Sequence, residues 1–173
     1  LLNVEPEFDC ANGAAAVQGL NQAQMIVTLS PFKTNMAFSD VLLPISPFTE
    51  TSGTFVNAEG RAQSFHAVVK PLEETRPAWK VLRVLGNLLG LSGFTADNSQ
   101  DVLATLPLET VDGASFVASA LLDNRTSHPV VVAKANSKPA TAAIYQLDSL
   151  VRRAPALQAT ADARASHSLG VNA

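Results

Sequence analysis

With 173 residues, 47% of them hydrophobic, the chain has the length and composition of one folded domain, or of one domain with an extension. A net charge of −3 and a pI near 5.5 leave no basic footprint for nucleic acid. Its most apolar stretch, Trp79 to Leu91, is broken by Lys80, Arg83 and Asn87, which excludes a membrane-spanning segment and direct membrane insertion.

The front shows no signal-peptide pattern, so a cytoplasmic or matrix-facing protein is expected. Cys10 stands alone, which rules out an internal disulfide. An iron–sulfur cluster normally takes four thiolates, so this chain cannot hold one by itself.

Taken in order, Leu1 to Phe8 starts as a strand and is interrupted by Pro6. Asn12 is a candidate N-cap for an Ala-rich helix running to Gln24, with Ala16, Leu20 and Ala23 on one face. Met25 to Leu29 reads as a buried strand stopped at Ser30-Pro31, and Thr34 to Ser39 as a helical turn. Val41-Leu42-Leu43, ended by Pro44, is a short strand buried on both faces. Strand, helix, strand, turn, strand is the rhythm of a parallel α/β sheet.

Gly53–Asn57 and Arg61–Phe65 flank Ala58-Glu59-Gly60. Two extended pieces joined by three residues ending in Gly predict a hairpin, with Gly60 supplying a positive φ. Asn57, Glu59, Arg61 and Gln63 recur every second residue, which predicts a polar ladder in which Glu59 and Arg61 pair.

Pro77 then opens the best helix in the chain, at the first turn, where its missing N–H costs nothing. Ala78, Leu82, Leu85 and Leu89 line one face, Val81 and Leu88 widen it, Gly86 permits close packing and Gly90 closes the end. The helix is expected in the core, with Trp79 as a core or interdomain anchor. Glu73 and Glu74 are expected to complement its dipole.

After a linker at Gly93–Asn98, Asn98 or Ser99 caps a short helix ended by Pro107. Ala114 to Leu122 is apolar enough for a buried helix, and Pro129–Ala133 is a candidate strand. From Tyr145 onward an extended arm with one helical turn is expected, fraying after Ser166. Arg152-Arg153 either pairs with acids of a neighbouring subunit or domain or stays solvated.

D-V-L-L-P at Asp40–Pro44 and G-T-F-V-N-A-E-G-R-A-Q at Gly53–Gln63 resemble the signature of the molybdopterin oxidoreductase superfamily. Lys70-Pro71, Glu74-Thr-Arg-Pro-Ala-Trp79 and Leu85-Gly86 narrow the resemblance to the large iron–sulfur subunit of bacterial NADH:quinone oxidoreductase, respiratory complex I. Ile144–Arg153, Leu157-Gln158 and Ala161-Asp162 are similar to that subunit's C-terminal segment.

The resemblance implies a C-terminal fragment of a larger subunit whose iron–sulfur clusters lie in the missing N-terminal part, with no cofactor in this chain. Its partners would be the rest of its own subunit and other peripheral-arm subunits, at the cytoplasmic face of the inner membrane. In catalytic relatives the hairpin region lies toward the molybdenum cofactor, which makes Asn57, Glu59, Arg61 and Gln63 the cofactor-binding candidates. The structural alternative is that they stabilise the hairpin.

No residue is nominated as catalytic. His66, His128 and His167 lack chelating spacing, and no G-x-S-x-G elbow or dinucleotide fingerprint occurs, Gly13 and Gly19 being wrongly spaced.

The fold expected is α/β: a partial Rossmann-like, mostly parallel sheet with flanking helices, a β-hairpin and an extended C-terminal arm. Residues 1–92 would be the distal part of a molybdopterin-oxidoreductase-like domain, 93–143 a variable region and 144–173 the arm. The function expected is a structural and assembly segment supporting electron transfer from NADH to quinone. The alternatives are a molybdopterin-binding domain of a formate-dehydrogenase-like enzyme and a free-standing α/β module that binds a small ligand.

Overall fold

The computed structural model describes residues 1–118 and 144–168. In chain order the elements are α1 (Pro6–Asp9), α2 (Gly13–Leu20), β1 (Val27–Ser30), β2 (Val41–Pro44), β3 (Gly53–Val56), β4 (Ala62–Phe65) and α3 (Ala78–Leu88). They continue with α4 (Ser99–Leu103), β5 (Leu108–Val111), β6 (Ala114–Val117), α5 (Ser149–Arg152), α6 (Pro155–Gln158) and α7 (Ala161–Ser168). The class is α/β, as the sequence predicts. The strands form two-stranded pairs, β1–β2, β3–β4 and β5–β6. Bridges between distant segments, Leu2 with Leu29 and Ile45 with Arg76, run parallel, whereas the pairs β3–β4 and β5–β6 are antiparallel hairpins. The candidate strand Pro129–Ala133 lies outside the described residues.

The chain divides into two compact units, Leu1–Leu43 with Val131–Ala173, and Pro44–Val130. In the first, β1 receives the N-terminal stretch: the Leu29 N–H donates to Leu1 O and the Asn3 N–H to Leu29 O. Toward β2, Asp40 grips Ile26 twice, its Oδ2 accepting from the Ile26 N–H (2.6 Å) and its own N–H donating to Ile26 O (2.9 Å). Ile26, Thr28, Leu29, Ser30 and Ala163 are buried. Asn12 caps α2 as expected, its Oδ1 accepting from the Ala15 N–H at 3.0 Å. Residues Val41–Leu43 are half-buried rather than covered on both faces.

The predicted extended arm is instead three short helices in its described part. Asp148 caps α5 through the Leu150 and Val151 N–H groups, and Pro155 opens α6. Caps and an N-terminal proline start a new helix each time.

In the second unit Ile45 is fully buried beside its bridge to Arg76, and the Ser46 N–H donates to Arg76 O. Helix α3 begins after Pro77 and ends in a Schellman motif: the Leu91 N–H bonds to Gly86 O, the Gly90 N–H to Asn87 O, and Gly90 has φ +68°. Glu73 and Glu74 lie ahead of its first turn, beyond useful reach of the dipole, which corrects that expectation.

Nor is α3 a core helix. The loop that follows packs on its small and polar face, with the Phe94 ring against Gly86, Arg83 reaching Ala96 O and Asp97, and Asn87 reaching Phe94 O. The apolar face stays open at Val84, Leu85, Leu88 and Leu89. Gly86→Val is expected to displace the Phe94 ring and cost about 1–3 kcal/mol, the usual range for forcing extra carbons into a packed site. The urea midpoint followed by Trp79 fluorescence checks this.

A capping box starts α4, in which Asn98 Oδ1 accepts from the Asp101 N–H while Asp101 Oδ2 accepts from the Asp97 and Asn98 N–H groups. The Asp97 N–H, helped by Asn98, holds the Asp101 carboxyl below its ordinary value of 3.8 against an opposing desolvation. A depressed carboxyl stabilises the folded form above its unfolded value and loses that contribution as pH falls through the folded one. The α4 cap is therefore expected to open below the ordinary Asp range, and Asp101→Asn to remove this pH dependence from the Asp97 amide shift in NMR.

The helix expected at Ala114–Leu122 begins instead as strand β6. Asp112 and Gly113, with φ of +49° and +75°, form the two-residue turn that folds β6 onto β5. Asp-Gly is a strong local signal for such a turn, and it outweighs the apolar run that follows.

Candidate functional site

The predicted hairpin is the candidate site. Strands β3 and β4 pair Gly53 with Phe65, Thr54 with Ser64, Phe55 with Gln63 and Val56 with Ala62. The ladder ends at the Asn57 N–H bond to Arg61 O, and the Gly60 N–H donates back to Asn57 O. Gly60 is buried with φ +83°, so the three-residue loop with a left-handed glycine forms as the sequence predicts. Its carbonyl accepts from the Val117 N–H at 2.8 Å, and Arg61 bridges Phe116 antiparallel, which joins the hairpin to β6.

The structure does not form the ladder expected of the four candidates. Asn57, exposed like the other three, folds back over its own loop, its Oδ1 accepting from the Glu59 N–H at 3.0 Å and the Arg61 N–H at 2.9 Å. Glu59 and Arg61 make no ion pair, because the turn at Gly60 separates them and period-two alternation does not run through a loop. Glu59, Arg61 and Gln63 are exposed, with Gln63 opposite Phe55 in the register. Asn57→Ala is expected to free both amides and cost about 1 kcal/mol, as losses of comparable side-chain caps do. Faster hydrogen exchange at Glu59 and Arg61 checks it.

Three aromatic rings outside the polar motif support the hairpin. Phe55 stacks on Phe65 (4.7 Å between centroids) and meets Phe48 edge-on (6.0 Å). Their signal is present in the sequence, since Phe55 and Phe65 hold alternating positions close to the Gly53–Phe65 pair, but attention to polar residues misses it. Between the two motifs, side chains are engaged with backbone and neighbouring hydroxyls. Glu50 Oε2 accepts from the Leu72 N–H, and the Ser46 hydroxyl donates to Thr75 Oγ1.

The other polar cluster belongs to the first unit. Arg152 Nη1 and Nη2 both reach Asp9 Oδ1 at 2.9 Å, and Nη1 also donates to Gln146 O. Its Nε lies 3.7 Å from Glu5 Oε2, too long for a hydrogen bond, and has no other partner. Arg153 Nη1 meets Glu5 Oε1 at 2.7 Å. The guanidinium groups of Arg152 and Arg153 lie 4.9 and 4.2 Å from the Phe8 and Phe32 ring centres. Of the two outcomes the sequence left open for Arg152-Arg153, pairing holds: the arm reaches acids of the 1–92 segment, which belong with it to one compact unit.

A molybdenum centre calls for a thiolate, selenolate or hydroxyl ligand held among converging polar groups. The hairpin offers the carboxylate, guanidinium and carboxamide of Glu59, Arg61 and Gln63, and its two hydroxyls, Thr54 and Ser64, bond each other at 3.0 Å. Among the described residues no three His, Cys, Asp or Glu side chains gather at one point. Cys10 is exposed on the rim of an open apolar groove of about 550 Å³ lined by Leu1, Val4, Ala16 and Leu20. The described residues therefore do not fit a molybdenum site within this chain. His66 is exposed, while His128 lies outside the described residues. No helix among the described residues is long and apolar enough to cross a membrane.

The chain is similar to known proteins over part of its length. Over 53 residues the chain is 47% identical to a putative formate dehydrogenase of Staphylococcus aureus, a stretch covering 31% of the chain and 5% of that protein. It is 39% identical over 66 residues to a probable oxidoreductase of Bacillus subtilis, covering 38% of the chain and 7% of the relative. Identity to the mitochondrial NADH-ubiquinone oxidoreductase 78 kDa subunit of Candida albicans is 47% over 53 residues, covering 31% of the chain and 7% of the subunit. The chain thus aligns with only a small fraction of the length of these relatives. The pattern of the Molybdopterin oxidoreductase family matches residues 1–88, which is more than half of the 173, and the chain belongs to that family.

Proposed function

We propose that the chain is a structural and assembly segment of the large subunit of an NADH:quinone oxidoreductase. In this reading it supports electron transfer from NADH to quinone and carries no redox centre itself. The supporting observation is how the polar residues in and between the motifs are used: Asp40, Ser46, Glu50 and Asn57 bond backbone or hydroxyl groups of their own unit. A side chain committed to holding its own loop is scaffold, because removing it leaves buried or turn amides without partners.

The exposed Glu59, Arg61 and Gln63 then serve as surface toward the rest of the subunit or the other peripheral-arm subunits. Iron–sulfur clusters would lie elsewhere in the parent subunit, and the assembled complex would hold the segment at the cytoplasmic face of the inner membrane. The purified chain is expected to be colourless and neither to oxidise NADH nor to reduce ferricyanide. A flavin or iron–sulfur absorption band, or turnover, overturns the reading.

A second reading has a specific observation in its favour. The putative formate dehydrogenase of Staphylococcus aureus matches at the same 47% identity as the 78 kDa subunit. The segment would then be the distal part of a formate-dehydrogenase-like oxidoreductase, with the hairpin near its active site. Molybdenum analysis of the complete gene product separates the two: metal supports the second reading and its absence the first.

A further inference from the structure

The apolar face of α3 is an interface without a partner among the described residues. On a helix turning 100° per residue, Val81, Val84, Leu85, Leu88 and Leu89 share one continuous side that carries no charge. Leu88 is 79% exposed, Leu89 65% and Val84 53%. The opposite side, with Arg83, Gly86 and Asn87, is the one the chain covers with its own loop. An amphipathic helix that packs its polar side and leaves its apolar side open is missing the surface it was patterned for.

We propose that this face docks on the body of a family-length polypeptide, against an apolar, uncharged surface of that body. The inference rests on the assignment of the chain to a larger subunit. Two observations select this occupant. The family pattern extends through the last residue of α3, Leu88, so the open face lies within the shared part of the fold. The relatives are far longer than the matched stretch, which is 5% or 7% of their length, so most of a family-length fold is absent here. A second copy fits less well. Eleven residues of helix are about 16 Å long, and one such seam falls short of the ~800 Å² per partner typical of a stable interface. The missing charge on this side also disfavours a partner recognised by ion pairs.

The test is cysteine protection. Leu88→Cys is introduced with Cys10→Ser, both into the 173-residue chain and into the product of the complete reading frame, and maleimide labelling at position 88 is read by peptide mass spectrometry. Leu88 is so exposed that the change leaves the fold intact, which circular dichroism verifies. In the chain alone position 88 is expected to label freely. In the complete product labelling should slow about tenfold or more, since a covered site reacts only when local opening exposes it. Equal labelling in the two proteins, or a reading frame that encodes nothing beyond this chain, overturns the proposal. Protection in the chain alone that grows with protein concentration assigns the face to a second copy and overturns it as well. Redox activity of the chain alone would sink the scaffold reading and leave the labelling result standing, so the two failures are distinguishable.

Discussion

Arg152→Ala is expected to cost the first unit about 3–5 kcal/mol, the range measured when one member of a buried ion pair is removed. Arg152 and Glu5 side chains are each 6% exposed, and Asp9 is 26% exposed. Truncation leaves Glu5 paired with Arg153 and takes from Asp9 its double hydrogen bond. It also strips the guanidinium from Phe8. The measurement is hydrogen exchange at Val27–Ser30, where amide protection should fall by orders of magnitude. Arg152→Lys keeps the charge but loses the planar fork, so it should fall between the wild type and Arg152→Ala. Arg153→Ala should cost less, because that side chain is 36% exposed and water screens its pair with Glu5. Equal protection in wild type and Arg152→Ala would show that the cluster contributes nothing to stability.

The second large effect is expected at Ile45. It is the largest fully buried side chain in the molecule's described part, and it adjoins the parallel bridge to Arg76. Ile45→Ala removes three carbons from a site with no solvent access and should cost about 2–5 kcal/mol, the spread depending on how far the site collapses. Ile45→Val, one methylene smaller, should cost about 0.5–1.5 kcal/mol. Trp79 lies three residues beyond Arg76, so its fluorescence reports this packing through urea unfolding. A midpoint unchanged in Ile45→Ala would mean that the bridge, not the side chain, holds Ile45 in place.

These two residues also show what the sequence discloses. The hairpin was legible because its determinants are local: a glycine at the one loop position needing positive φ, and extended segments on either side. So were the start and end of α3, set by Pro77 and Gly90. The apolar periodicity of α3 correctly marked an apolar face, yet periodicity says nothing about whether this chain supplies the cover. At Ala114 the apolar run hid the stronger Asp112-Gly113 turn. The Glu59–Arg61 pair failed because alternation was carried through a loop, where it has no meaning. Glu5, Asp9, Arg152 and Arg153 were visible only as scattered charges, since no local pattern links residues so far apart.

That separation has a consequence for how the chain is made. Asp9 and Arg152 are 143 positions apart, and Glu5 and Arg153 are 148 apart. During synthesis the first unit's ionic clasp must wait until the 143 to 148 residues that separate its halves have emerged, whereas the hairpin and α3 find their partners within a few dozen residues. The carboxylates stay hydrated through that interval, and the arrival of the two arginines closes the unit.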